Sequence, residues 1–425
     1  MMLIRLALST LLVCASLLPA DAIAQAADSN LARAKRILRS TPLVDGHNDL
    51  PWRIREDKNT PRDVEAYDLR QTTPGHTDLA RMKEGMIGAQ FWSVYIPGEI
   101  PDSGYARVQL EQIDIARRMI AKYPERLAFA TRASDIRYDF AQGKVAAFLG
   151  MEGGHAIENS LGALRSYYAL GVRYMTLTHN VTLDWADAAL DTAKHGGLTP
   201  FGKEVVREMN RLGMLVDLAH VSPGTMSAAL DVSVAPVIFS HSGARELVDH
   251  PRNVPDSILA RLPKNGGIVM VPFVNVFVSP KARVQDVAEQ KARADAKAKF
   301  PSDNGAVERA MAAWHSANPL VPATISDVAD HIEHVRNVAG IDHVGIGSDF
   351  DGITDVVVGL ENVSKFPSLL AELARRGWSD ADLRKVTGEN FIRVFSQAEM
   401  VAARLQKERK PSTATISELD GKVHP

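Results

Sequence analysis

Cysteine is almost absent from this chain: Cys14 is the only one in 425 residues. A single thiol cannot close an internal disulfide, and no cluster of thiolates is available to hold a metal. Any metal centre must therefore be built from histidine and carboxylates. A charge excess is missing too. The 49 Lys and Arg against 51 Asp and Glu leave a formal net charge of −2, with no long basic run. A nucleic-acid partner is not expected. Beyond the N-terminus no apolar run approaches the roughly 20 residues that span a bilayer. The end of the chain, SELDGKVHP, has no apolar tail, so neither a transmembrane helix nor a glycolipid anchor is expected. What remains, 45% apolar and 24% charged, is the composition of a globular protein, read here as one acting on a small molecule.

The one long uncharged stretch stands at the N-terminus. Arg5 precedes LALSTLLVCASLLPA, and AIA and AQA then offer small-residue cleavage sites after Ala24 or Ala26. Residues 1–24 are therefore expected to be a cleaved secretory signal. Cys14 lies inside the apolar run behind Val13, which does not suit a lipoprotein. The expected location is the bacterial periplasm. The expected division is then a catalytic domain over residues 25–400 and a polar tail over 401–425, which starts helical and loosens.

Strand-like and helix-like segments alternate from about residue 40 to about residue 395, without an internal repeat. Candidate strands are Leu43–Asp49, Gly88–Tyr95, Val145–Glu152, Arg173–His179, Met214–His220, Pro236–His241, Gly267–Val274 and His343–Asp349. Several are continuous apolar runs, as parallel strands buried on both faces require. Amphipathic stretches such as VQLEQIDIARRMIAKY and PFGKEVVREMNRLG lie between them. This pattern predicts an α/β fold, a (β/α)8 TIM barrel rather than an open sheet. Two segments exceed the minimal barrel. Trp52 to Gly85 is polar and proline-rich and reads as a loop over the first strand. Ser279 to Ile325 reads as a helical insertion after the seventh strand.

The strands end in residues that bind metal or move protons, and barrel active sites form at that rim. His47 and Asp49 form an H-x-D, and residues two apart on a strand share a face. Alone, the tripeptide is weak evidence. Glu152 ends an apolar run before Gly153-Gly154; a desolvated carboxylate needs a partner or a cation, and it can bridge two cations through its two oxygens. His220 and His241 end VDLAH and VIFSH. A lone histidine there is more often a core residue, but two on successive strands, with the H-x-D and Glu152, reverse that. Neutral imidazole suits zinc. Asp349, in GIGSDFDG, is the expected proton shuttle. Asp351 could compete for that role, although Asp351-Gly352 looks like a turn. One zinc needs three or four ligands. The count therefore suggests two ions sharing Glu152, one with His47 and Asp49 and the other with His220 and His241, and hydrolysis by a metal-bound hydroxide.

The runs LVDGHNDLPW, EGGHAIENSLGALRSYYALGVRYMTLTHN, GLTPFGKEVVREMNRLGMLVDLAHVS, PVIFSHSGAR, HPRNVPD, GSDFDG and GENFIRVF resemble the renal (membrane) dipeptidase family, the M19 peptidases of the amidohydrolase superfamily, from about Thr41 to about Ala398. The resemblance implies an amidohydrolase-like barrel with two zinc ions per subunit, a dipeptide substrate and a homodimer. It makes His179 the substrate-contacting histidine that polarises the carbonyl or stabilises the oxyanion. It makes Arg252 the arginine that binds the substrate's C-terminal carboxylate, which a guanidinium meets bidentately. Tolerance of a C-terminal D-residue is a further implication. His155 reads as structural. The chain departs from the mammalian members in lacking their disulfides and lipid anchor. Around the seventh strand, Pro272 and Phe277 leave pocket specificity open.

Two alternatives remain from the sequence. The same metal site could open another small amide, a lactone or a β-lactam. A non-catalytic binding protein could keep the barrel, although every expected ligand and the shuttle are present.

Overall fold

The computed structural model describes residues 20–100 and 104–421. Nearly all of the expected leader lies outside them. Nine parallel strands follow in chain order: β1 (Leu43–Asn48), β2 (Ile87–Ser93), β3 (Leu127–Phe129), β4 (Val145–Glu152), β5 (Val172–Thr176), β6 (Leu215–Asp217), β7 (Ile238–Phe239), β8 (Ile268–Val271) and β9 (Val344–Ile346). They run β2-β1-β9-β8-β7-β6-β5-β4-β3, and a further pairing of β2 with β4, Ala89↔Ala146 to Ser93↔Gly150, closes the barrel. The eight strands expected from sequence are the barrel. The ninth, β3, pairs only with the start of β4, before β5 joins at Leu149. Three residues, one of them exposed, leave too little apolar signal to predict it.

The strands form where both faces are covered. Every residue of β1, β2 and β4 is buried. Alternate residues, among them Val44, Ala89, Phe91, Phe148, Tyr174, Ile268 and Met270, form an inner core. Phe391 and Phe395, from the helix Asn390–Glu408, complete it. Phe91 lies 4.8 Å from Phe148 and 5.2 Å from Phe391, ring centre to ring centre. These rings plug the N-terminal end of the barrel, leaving its C-terminal mouth for chemistry. A larger cluster packs the helices on the outside.

The helices carry local stop and start signals. Thr199 caps Pro200–Leu212 by accepting from the Gly202 amide, Pro200 stands in the first turn, and Gly213 ends the helix at φ 84°. As expected, the insertion after the seventh barrel strand, β8, is helical: Pro280–Lys299 and Asn304–Ala317. The segment expected as a loop from Trp52 to Gly85 contains two short helices, Leu50–Arg55 reaching into it and Leu79–Glu84.

The C-terminal expectation needs correcting. The helical start is as expected, since the helix Asn390–Glu408 runs through residue 401. Among the described residues beyond it, the segment around Ile416–Asp420 is docked, not loose. Ile416 is buried, and Asp420 accepts from Thr199 Oγ1 at 2.5 Å and the Phe201 amide at 2.9 Å. Polar sequence here marks a helix-capping segment.

Candidate metal centre

Apart from β4, which ends at Glu152 as expected, the expected strands run too long at their C-terminal ends. β6 stops at Asp217, three residues before His220, and β9 at Ile346, three before Asp349. His220 (φ 65°) and Asp349 (φ 67°) adopt the left-handed conformation, so each leaves the pleat and turns its side chain over the mouth. β1 carries an extra residue between Asp45 and Asn48, opposite Gln90 and Trp92 of β2. This bulge at His47 brings His47 Nε2 within 3.1 Å of Asp49 Oδ2. Gly46 is required beneath it, because a Cβ there would meet the Met270 sulfur at 2.6 Å. Gly153, at φ 113°, turns the chain directly after Glu152.

Two buried aspartates hold these loops, and sequence reasoning missed both. Asp45 accepts from the Ser348 amide and Ser348 Oγ, each at 2.7 Å, and from Gln90 Nε2 at 2.9 Å, tying β1 to the Asp349 turn and to β2. Burial pushes its pKa up to about 6. Asp217 accepts from Thr176 Oγ1 at 2.5 Å, Ser240 Oγ at 2.6 Å and the Ser240 amide at 2.8 Å. Each stands two or three residues before a candidate ligand in an otherwise apolar run (LVDGH, LVDLAH), which was the signal to read.

The three candidate ligand histidines meet at Glu152. Its Oε1 lies 2.9 Å from His220 Nε2, 3.4 Å from His241 Nε2 and 4.0 Å from His179 Nε2. Its Oε2 lies 3.5 Å from His47 Nε2 and accepts from Ser93 Oγ at 3.3 Å. Three overlapping triads have ligand atoms within 4.8 Å of one another: His47–Glu152–His241, Glu152–His179–His220 and His47–Asp49–Asp349. Asp351 is turned away; it accepts from the His76 amide at 2.7 Å. His155 donates to the Ile96 carbonyl at 3.1 Å, a structural bond as expected.

The hydrogen-bond pattern fits a cation. His220 Nδ1 faces Asn180 Oδ1 at 3.0 Å, and an amide oxygen only accepts, so His220 carries its proton on Nδ1. Ser240 Oγ donates to Asp217 and therefore accepts from His241 Nδ1 at 2.9 Å. Both Nε2 atoms then present lone pairs, 3.0 Å apart and both turned to a carboxylate oxygen. Acceptors packed this closely repel unless positive charge lies among them. Asp49 Oδ1 is also buried and has no hydrogen-bond partner among the described residues.

The electrostatics agree. Burial pushes His220 and His241 well below the usual histidine range, helped by Arg252 in both cases, so both are neutral. Burial alone would raise Glu152; His47 and His220 outweigh it and hold it well below the carboxylate range. His47 goes the other way: burial would lower it, but Asp49 and Glu152 outweigh that and raise it well above the usual histidine range. Asp349 is raised well above the carboxylate range by burial, with Asp49 and Glu152 adding to this against His47 and Arg252.

Arg252 belongs to the same cluster. It is fully buried, and burial lowers its pKa to about 10, so it stays charged at neutral pH. Its Nη2 donates to His241 Nε2 at 2.8 Å, its Nε has no partner among the described residues, and Phe277 lies against the guanidinium, ring centre 5.1 Å away. His179 packs against Tyr95, which sequence reasoning did not single out, at 4.8 Å between ring centres.

A barrel whose mouth gathers histidines and carboxylates around one central carboxylate, beside a buried arginine, defines a metallohydrolase. The family model described as membrane dipeptidase (peptidase family M19) matches residues 31–409, so the chain belongs to that family and is a metallopeptidase of the dipeptidase type. It is similar to a metallopeptidase from Rhodobacter sphaeroides, solved with a phosphinate mimic of the dipeptide L-Ala-D-Ala (25% identity, 84% of this chain and 99% of that one, TM-score 0.69). It is likewise similar to the M19 metallopeptidase called dipeptidase AC (26% identity, 84% and 99% covered, TM-score 0.69). The probable dipeptidase PvdM from Pseudomonas aeruginosa shares the fold at 24% identity (88% and 100% covered, TM-score 0.76).

Proposed function

We propose that the protein hydrolyses dipeptides with two zinc ions that share Glu152, one held with His47 and Asp49 and the other with His220 and His241. The observation that carries this reading is the convergence of imidazole lone pairs on Glu152 Oε1, at 2.9 and 3.4 Å, beside a buried guanidinium. An all-nitrogen-and-oxygen donor set of this kind suits zinc. When bound, two such cations polarise a carbonyl and lower the pKa of water.

The chain's own residues supply the remainder. Arg252 turns from His241 to meet the substrate's C-terminal carboxylate, which frees His241 as a ligand and satisfies the unpartnered Nε. An anchor this close to the ligands puts the scissile bond one residue from the C-terminus. His179, lowered by burial and hence neutral, donates a hydrogen bond to the scissile carbonyl oxygen. Asp349 takes a proton from the attacking water and returns it to the leaving amine. The likeness to the Rhodobacter protein supports acceptance of a C-terminal D-residue.

Free amine release from dipeptides, matched tripeptides and N-acyl amino acids, before and after chelation, tests the reading. Cleavage of dipeptides alone, lost with the metal and restored by zinc, is expected. Turnover only of acylated or cyclic substrates would retire it. Cleavage of L-Ala-L-Ala but not L-Ala-D-Ala would remove the D-residue extension alone.

Residues 1–24 are proposed as an export leader to the periplasm; the N-terminus of protein recovered from a periplasmic extract should begin at residue 25 or 27. A homodimer belongs to the same reading, and sedimentation at a single protomer mass would exclude it. Among the described residues, no helix is long and apolar enough to cross a membrane.

A further inference from the structure

The three ligand histidines are steadied from behind in different ways. Asn180 and the Ser240–Asp217 pair dictate which nitrogen of His220 and His241 carries the proton. Among the described residues, neither an amide nor a carboxylate meets Nδ1 of His47. Its Nδ1 meets the hydroxyl of Tyr174 at 2.8 Å, and among the described residues that hydroxyl has no other hydrogen bond.

Tyr174 is built into this position. It sits near the middle of β5, fully buried, with its ring 5.2 Å from Phe91 between centres. The ring covers Gly150 of β4, where a Cβ would fall 2.0 Å from the ring carbon that bears the hydroxyl. Gly150 thus lets a ring rooted in β5 cross the barrel interior and reach His47 on β1. At 2.8 Å the phenol oxygen can accept the proton that Nδ1 donates. With Nδ1 engaged, Nε2 is turned toward Asp49 and Glu152, at 3.1 and 3.5 Å.

We infer that Tyr174 is a positioning residue that fixes the ring of His47 and thereby sets the affinity of the ion held by His47 and Asp49. This rests on the metal-centre reading above. The partner behind a ligand imidazole orients the ring and tunes its basicity, and losing such a partner costs about 10- to 100-fold in metal affinity.

Tyr174→Phe isolates the effect, because the ring still fills the space over Gly150 and only the hydroxyl goes. Zinc affinity is measured by competition with a chromogenic chelator on metal-free wild type and variant. Melting of both metal-free forms and the absorption spectra of both cobalt-loaded forms are recorded alongside. The expected result is two zinc equivalents in the wild type, one of them weakened about 10- to 100-fold in the variant. The cobalt spectrum of that equivalent should change, and the metal-free melting temperature should not. Equal affinities and spectra would overturn the inference and leave the metal centre standing. A large drop in metal-free melting would also overturn it, since Tyr174 would then act on the fold rather than on His47. A wild type that binds no zinc would instead sink the metal-centre reading itself.

Discussion

At the scale of single residues, two side chains around Glu152 separate proton transfer from substrate capture. If Asp349 shuttles the proton, Asp349→Asn keeps the shape but not the base, and kcat should fall about 10²- to 10⁴-fold. Bound metal, measured by mass spectrometry of ashed protein, should not change. A loss of one metal equivalent would show that Asp349, which shares a triad with His47 and Asp49, is a ligand instead. Arg252→Ala should act on binding. A hydrogen bond to a charged group contributes about 1.5–3 kcal/mol, so kcat/KM for dipeptides should drop about 10- to 100-fold, chiefly through KM. An unchanged KM would dissociate Arg252 from the substrate carboxylate. Most of these residues were legible beforehand, because a charged or imidazole side chain at the end of an apolar run has few structural uses. Asp45, Asp217, Ser93 and Tyr174 were not read, because their partners are far away in the chain: Ser348, Ser240, Glu152 and His47.

At the scale of elements, the loops after the strands are held by helices on the outer ring. The helix Ile325–Ala339 places His331 so that its Nδ1 accepts from the Ala244 amide at 2.9 Å, three residues beyond His241. That nitrogen must be unprotonated, and burial holds the His331 pKa at about 4. Unfolded, the imidazole titrates near 6.5. Between those values the unfolded chain binds the extra proton, so stability is full above about pH 6.5 and falls as the pH drops toward 4. Glutamine can accept the same amide without titrating. His331→Gln should therefore flatten the decline of stability between pH 6.5 and 4, by about 1–3 kcal/mol over the window, in urea titrations at stepped pH. An unaltered slope would mean that His331 is not among the groups that titrate on unfolding. The eight barrel strands were legible as elements, since buried parallel strands are apolar throughout. Their ends, that of β4 at Glu152 apart, were not. The left-handed turns at His220 and Asp349 and the bulge at His47 come from the loops they enter, and hydrophobic pattern carries no record of them.

At the scale of the whole molecule, distant segments are clamped together. Asp420 caps the helix Pro200–Leu212 from the far end of the chain. Losing a cap costs about 0.5–2 kcal/mol. Asp420→Ala should lower the melting temperature by a few degrees while the zinc affinity stays as in wild type; no shift would show that the docked tail is ornamental to stability. The sequence by itself determined the alternation of strands and helices, and hence the barrel, and it determined which side chains could serve as ligands, because both follow from local pattern and residue chemistry. Only the tertiary structure decided that β2 closes on β4, that the polar tail is a cap, and that Tyr174 reaches across the barrel to His47. Each of these depends on contacts between residues tens to hundreds of positions apart, which exist only once the strands have closed and the interior has been filled.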